Sequence, residues 1–175
     1  MFDDSLRILI AEDETIIRLD LRQLLEREGY EVCAEARDGA EAIELARETQ
    51  PDLAILDVKM PNVDGIEAAR RIYAERPVPI VMLTAYADRA LVDKAVSAGV
   101  FAYVVKPFRE SDVLPSVRAA AARHRELIGA RRDQGKASAP IDVDVRGSSG
   151  AVYPLRLRRG LDGSVNVSLG ETDTS

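Results

Sequence analysis

The chain has one cysteine, one histidine and no apolar run of the roughly 18 residues that a membrane helix needs. A lone Cys33 cannot close an intramolecular disulfide, so nothing calls for an oxidising compartment and the cytoplasm is the expected location. Its setting, Tyr30-Glu31-Val32-Cys33, is that of a small buried residue on a strand. The start, Met1-Phe2-Asp3-Asp4, is acidic and lacks the basic and apolar regions of a signal peptide, so a soluble protein without a membrane partner is expected. His124 falls among Arg123, Arg125 and Glu126 and is expected on a solvated helix face. The formal net charge of -6 argues against a general nucleic-acid coat. Arg118, Arg123, Arg125, Arg131, Arg132 and Lys136, continued by Arg146, Arg156, Arg158 and Arg159, form a basic stretch. No aromatic stacking platform or reading helix accompanies it, so nucleic acid is not expected as a partner.

What is present is a set of four short apolar runs, each ending on a reactive polar side chain. Ile8 to Ala11 runs into Glu12-Asp13, Leu53 to Leu56 into Asp57, Ile80 to Leu83 into Thr84, and Tyr103 to Val105 into Lys106. Such runs, separated by helical patterns, read as buried parallel strands. Helical spacing predicts a first helix from Thr15 to Glu28 that stops at Gly29, and a second capped by Asp38 that ends before Pro51. Ile66, Ala69 and Ile72 mark a third, and Asp88 with Leu91, Val92, Ala95 and Val96 marks a fourth that stops at Gly99. A fifth carries Val113, Val117, Ala120, Ala121, Leu127 and Ile128, with Pro115 expected in its first turn, where a missing N–H costs least.

Five strand–helix units indicate an α/β fold, a doubly wound parallel sheet with right-handed crossovers. The expected organisation is one such domain over residues 1–128, a polar linker over 129–140, and a small β-like or partly disordered tail over 141–175. In the tail, Ile141 to Val145, Tyr153 to Leu157 and Val165 to Leu169 alternate with period two. Three strands alone are marginal, so low order or a docking partner is expected there.

An open α/β sheet places its chemistry at the carboxyl ends of its strands. In the order 2-1-3-4-5 the first and third strands are neighbours, which brings Glu12 and Asp13 beside Asp57. Two carboxylates 4 Å apart repel by about 4 kcal/mol at an effective dielectric of 20. A divalent cation relieves that strain, and an all-oxygen set favours Mg2+, or Mn2+ in its place. Asp57 is then the candidate nucleophile toward a phosphoryl group, with Lys106 and Thr84 in support.

At these residues the chain resembles the receiver domain of two-component response regulators. The ordered set comprises Glu12-Asp13, Asp57, Met60-Pro61 with Asp64-Gly65, Thr84-Ala85 and Lys106-Pro107-Phe108, and it spans about residues 6–128. The resemblance implies a flavodoxin-like, five-stranded sheet of order 2-1-3-4-5. It implies phosphorylation of Asp57 by a phosphohistidine on a sensor histidine kinase or phosphotransfer protein. It further implies magnesium on Glu12, Asp13, Asp57 and the backbone carbonyl of Lys59, a switch formed by Thr84 and Tyr103, and a cis peptide before Pro107. With His124 as its one histidine, the chain is not expected to be its own phosphohistidine donor, nor to be an enzyme beyond self-phosphotransfer and autodephosphorylation.

Ile10 to Glu14 and Asp57 to Pro61 resemble most those receivers that precede an ANTAR RNA-binding output, yet nothing after Gly129 has its helical, Ala-rich pattern. Output is therefore expected through the face of the fourth helix, fifth strand and fifth helix, which leaves a homodimer through that face open, or through the tail. Two other readings stand beside this one. A haloacid dehalogenase-type phosphatase also uses an Asp nucleophile and magnesium, but needs a second Asp two residues on, where this chain has Lys59. A phosphorylation-independent pseudo-receiver would have no need of the intact acidic pair and Lys106.

Overall fold

A computed structural model of the chain describes residues 6–85, 99–133, 141–146, 152–159 and 165–169, with side-chain surroundings as far as residue 126. The expected helix from Asp88 to Gly99 lies almost entirely outside the described residues, as do the side chains of Leu127 and Ile128. The elements run β1 (Arg7–Ala11), α1 (Thr15–Arg27), β2 (Glu31–Ala36), α2 (Gly39–Thr49), β3 (Leu53–Asp57), α3 (Gly65–Glu75), β4 (Ile80–Thr84), β5 (Val100–Val105) and α4 (Glu110–Asp133). Three further strands follow: β6 (Ile141–Arg146), β7 (Val152–Arg159) and β8 (Val165–Leu169).

The sheet order begins β2-β1-β3-β4-β5, with every one of these pairs parallel, so the doubly wound arrangement is present and β1 neighbours β3. Because successive strand residues point to opposite faces, each apolar run feeds two cores. Ile8, Ile10, Leu53, Ile55, Val81 and Leu83 meet Leu21 and Leu25 of α1 and Val113, Val117 and Ala121 of α4. Leu9, Ala11, Ala54, Leu56 and Met82 meet Ala42, Ile43 and Ala46 of α2 and Ala68, Ala69 and Ile72 of α3. Burial on both faces explains why these strands read as unbroken apolar runs.

Local chemistry fixes where the helices start and stop. The Asp38 carboxylate caps α2 by accepting the Glu41 N–H at 2.9 Å, and Asp64 caps α3 by accepting the Glu67 N–H at 2.8 Å. Gly29, at φ 86, ends α1 in the left-handed region. For α4 the expectation about Pro115 needs correction, because the helix begins at Glu110 and Pro115 falls in its second turn. The earlier start comes from Asp112, whose carboxylate reaches back to the Arg109 N–H at 3.0 Å while the Arg109 carbonyl accepts the N–H groups of Asp112 and Val113. The Asp112 carbonyl also accepts the Ser116 hydroxyl at 2.8 Å.

His124 also differs from its expected solvated position. It is 9% exposed and stands edge-on to the Phe101 ring, with centroids 5.5 Å apart. Val117, Ala121 and His124 follow one another by four and three residues, so His124 continues the apolar stripe of α4 rather than its wet face.

The tail strands extend the same sheet. β6 pairs parallel with β5, then β7 pairs antiparallel with β6 and β8 antiparallel with β7. Cys33 is half-buried on β2, its Sγ 3.7 Å from Thr49 Oγ1.

One glycine ties the fold to the strand ends. The Gly65 N–H donates to the Val58 carbonyl at 3.0 Å, and a Cβ at this position would stand 1.9 Å from the Asp57 carbonyl oxygen. Backbone cannot yield as a flexible side chain does. Gly65→Ala is therefore expected to cost about 1–3 kcal/mol, the range for overpacking a tight contact. A thermal melt followed by circular dichroism should show a Tm lowered by several degrees, and an unchanged Tm would contradict the close approach.

Candidate functional site

β1, β3, β4 and β5 all end at the same edge of the sheet, and their last residues and the ones that follow form the site. Glu12 directly follows β1 and is fully buried, Asp57 closes β3 at 3% exposure, Thr84 closes β4 at 5%, and Asp13 is exposed at the mouth. One carboxylate oxygen from each of Glu12, Asp13 and Asp57 lies within 4.8 Å of the others. Lys106 directly follows β5. Its Nζ donates to Glu12 Oε2 at 2.8 Å and stands 3.2 Å from Asp57 Oδ1.

The backbone aims these groups. The Lys106 N–H donates to the Thr84 carbonyl at 2.7 Å, tying the ends of β4 and β5 together, and the Lys106–Pro107 peptide is cis. Lys59 lies two residues beyond Asp57 with its side chain in solvent, and its backbone N–H faces the Asp57 carboxylate. Tyr103 is 2% exposed on β5, opposite Met82 of β4, and belongs to the same core as the apolar faces of α2 and α3.

Glu12 is held more firmly than its neighbours. Its N–H donates to the Ala36 carbonyl at 3.1 Å, and its Oε1 accepts the Glu14 N–H at 3.1 Å. Its carbonyl accepts Arg18 Nη1 at 2.6 Å. Arg18 is itself placed by Glu35 of β2, at 3.6 Å, and Glu35 also takes Arg22 at 2.9 Å. Neither Arg18 nor Glu35 was singled out in the sequence. The signal that could have found Arg18 is its position one helical turn into α1, on the side that returns to the strand end.

The electrostatics follow from burial. Loss of water pushes the Glu12 carboxyl above its ordinary range, against the opposing pull of the Lys106 hydrogen bond, and the nearby Asp57 charge adds to the rise. Asp57 is likewise pushed up by burial and by Asp13, with Lys106 and the Lys59 N–H pulling the other way. For Lys106, burial favours the neutral amine, but its hydrogen bond to Glu12 and the charges of Asp57 and Glu12 outweigh it and hold the ammonium above its usual value. The site therefore carries more negative charge than one ammonium balances. Three convergent oxygen donors, two of them buried, fit a hard divalent cation such as Mg2+. Asp13 is free for that role, since α1 starts without a side-chain cap.

Residues 8–118 match the response regulator receiver domain family. The chain belongs to this family. The receiver is similar to the transcriptional regulatory protein PdtaR of Mycobacterium tuberculosis, with 54% identity over 121 residues that cover 69% of this chain and 59% of that protein. It is also similar to the chemotaxis protein CheY of Bacillus subtilis, with 38% identity over 63% of this chain and 93% of that protein. Among solved structures it resembles the CheX-CheY-BeF3-Mg+2 complex from Borrelia burgdorferi, with a TM-score of 0.62 and 28% identity over 64% of this chain and 86% of that one. The chain thus spans about three-fifths of the length of PdtaR. Among the described residues after Asp133 there are three strands and no helix, so none of them forms the helical segment of an ANTAR output.

The raised Asp57 carboxyl makes a stability prediction with a definite sign. A carboxyl whose pKa is higher in the folded chain than in the unfolded one favours folding when protonated, and that contribution is lost as pH rises through the folded value. At neutral pH without metal, the Asp57 charge is a burden. Asp57→Asn in a chelator is expected to raise Tm by about 2–4 °C at pH 7.5, the shift that roughly 1 kcal/mol produces in a chain of this size. The gap should narrow as pH falls toward the ordinary carboxylate range. A variant less stable than wild type at pH 7.5 would contradict this.

Proposed function

We propose that this receiver is a phosphoryl acceptor of two-component signalling, in which Asp57 takes a phosphoryl group from a phosphohistidine on a sensor histidine kinase or a phosphotransfer protein. The observation that carries this reading is the buried Asp57 carboxylate at the end of β3, grouped with Glu12 and Asp13 and 3.2 Å from the Lys106 ammonium. In the transfer an Asp57 oxygen attacks phosphorus, the phosphorus–nitrogen bond of the donor imidazole breaks, and the imidazole leaves with its electron pair.

Glu12, Asp13, Asp57 and the backbone carbonyl of Lys59 would hold Mg2+, or Mn2+ in its place, which neutralises charge as it builds on the phosphoryl oxygens. The presence of magnesium in the similar Borrelia complex supports this assignment. Lys106, already drawn to Asp57, supplies the second positive charge, and Thr84, on the strand beside β3, offers its hydroxyl to a phosphoryl oxygen. Movement of Thr84 toward that group and the packing of Tyr103 behind it would make the switch. The signal would leave through the face that includes β5 and α4, with no enzymatic turnover required, in the cytoplasm where a kinase domain is met. A homodimer through that face has to contend with β6, which already lies along β5.

Acetyl phosphate with millimolar magnesium, followed by intact mass, tests the proposal. Wild type should gain about 80 Da, the mass of one phosphoryl group, while Asp57→Ala and magnesium-free samples should gain none. An adduct of the same size on Asp57→Ala would place the phosphate elsewhere and overturn the assignment.

A further inference from the structure

Of the three acids, Asp13 is the one whose side chain is held least. Glu12 takes Lys106 and the Glu14 N–H, and Asp57 takes Lys106, whereas Asp13 stands exposed at the mouth and caps no helix. Among the described residues no hydrogen bond or ion pair reaches its carboxylate. Ordering such a side chain around a cation costs conformational entropy, so the backbone that aims it matters. One of its oxygens nevertheless lies within 4.8 Å of the Glu12 and Asp57 donors.

Both peptides that flank Asp13 are gripped. A peptide is a rigid plane, so a bond to its N–H or its carbonyl fixes the whole unit. The plane after Asp13 is held by the Glu14 N–H, which donates to Glu12 Oε1 at 3.1 Å. The plane before it is held by the Glu12 carbonyl, which accepts Arg18 Nη1 at 2.6 Å, the short distance of a charge-assisted bond. The Arg18 N–H also donates to the Glu14 carbonyl at 2.9 Å, so this one residue takes hold of the chain on either side of Asp13.

Arg18 is itself fixed. Its side chain is 11% exposed, and its Nε stands 3.6 Å from Glu35 Oε2, while the other Glu35 oxygen takes Arg22 Nη1 at 2.9 Å. Glu35 lies on β2 opposite Ile10 of β1, two residues before Glu12. Lys106 is the cation that reaches the carboxylates, and Arg18 is the cation that reaches the main chain carrying them.

We infer that Arg18, anchored by Glu35, is a positioning residue for the cation site: through the Glu12 carbonyl it sets the direction of Asp13 and thereby the affinity for magnesium. The inference rests on the reading of Glu12, Asp13 and Asp57 as magnesium ligands, and it assigns to that site a residue that touches no ligand. Its sign is opposite to that of a simple charge effect. By Coulomb's law a guanidinium near a cation site weakens binding, and removing it tightens binding. A guanidinium that aims a ligand has the reverse effect.

Calorimetric magnesium binding to the full chain tests this, with circular dichroism in chelator showing that each variant is folded. Wild type should bind magnesium, and Arg18→Met should bind it about tenfold more weakly, equivalent to about 1.4 kcal/mol. Arg18→Lys, which restores a charged donor without the planar fork, should recover part of that loss. If Arg18→Met does not fold in chelator, Arg18→Gln decides by the same sign. An affinity equal to or tighter than wild type in the deciding variant would overturn the positioning role and leave the magnesium site standing. No binding by wild type would bring down the magnesium site, and the inference with it.

Discussion

Three carboxylates converging at the ends of parallel strands repel one another, and the rest of this structure is arranged to hold them there. At about 4 Å and an effective dielectric of 20, each like-charged pair costs roughly 4 kcal/mol, a large share of what a domain has in hand. Lys106 offsets part of it, reaching Glu12 at 2.8 Å and Asp57 at 3.2 Å. Burial first, and the neighbouring negative charge after it, push the carboxyls of Glu12 and Asp57 upward. A site poised in this way gains from any positive charge that enters it, and it is the two-sided core of the sheet that keeps the acids from moving apart.

The scaffold supplies that constraint largely by gripping the backbone of the strand ends. Glu12 is held through its N–H by Ala36 and through its carbonyl by Arg18, so the acidic pair is fixed by groups that carry no part of its own charge. Gly65 lets α3 begin against the Asp57 carbonyl, and the Lys106 N–H on Thr84 ties the strand that brings the ammonium to the strand that brings the hydroxyl. Similarity to PdtaR over 121 residues and to CheY over nearly its whole length belongs to this scaffold, while the strands after residue 140 lie outside the matched family region.

How much was legible in the chain depends on whether a feature is local or made at a distance. The apolar runs of β1, β3 and β4 and the polar residues that end them are local patterns, and the alternation of strands and helices pointed to a doubly wound parallel sheet, whose strand order came from the resemblance to receivers. Glu12, Asp13, Asp57, Thr84 and Lys106 could be named because each directly ends or follows such a run. Arg18 and Glu35 could not, because their contact joins α1 to β2 through long side chains whose rotamers no periodicity records. His124 was misplaced because charged neighbours outweighed the helical stripe on which it lies. Pro115 was misplaced because the cap at Arg109 and Asp112 starts α4 earlier than its apolar pattern does. Period-two alternation marked extended stretches in the tail, but alternation does not say which edge a strand joins.

The central claim is that three carboxylates from distant points of the chain make one cation site, and magnesium-dependent stability tests it most directly. A ligand bound by the folded state alone raises stability by about 2.7 kcal/mol at 100 times its dissociation constant. Magnesium in the millimolar range is expected to raise the Tm of wild type by several degrees, and Asp13→Ala is expected to abolish that rise while the chain stays folded. A wild-type Tm indifferent to magnesium, or an equal rise in Asp13→Ala, would contradict the account.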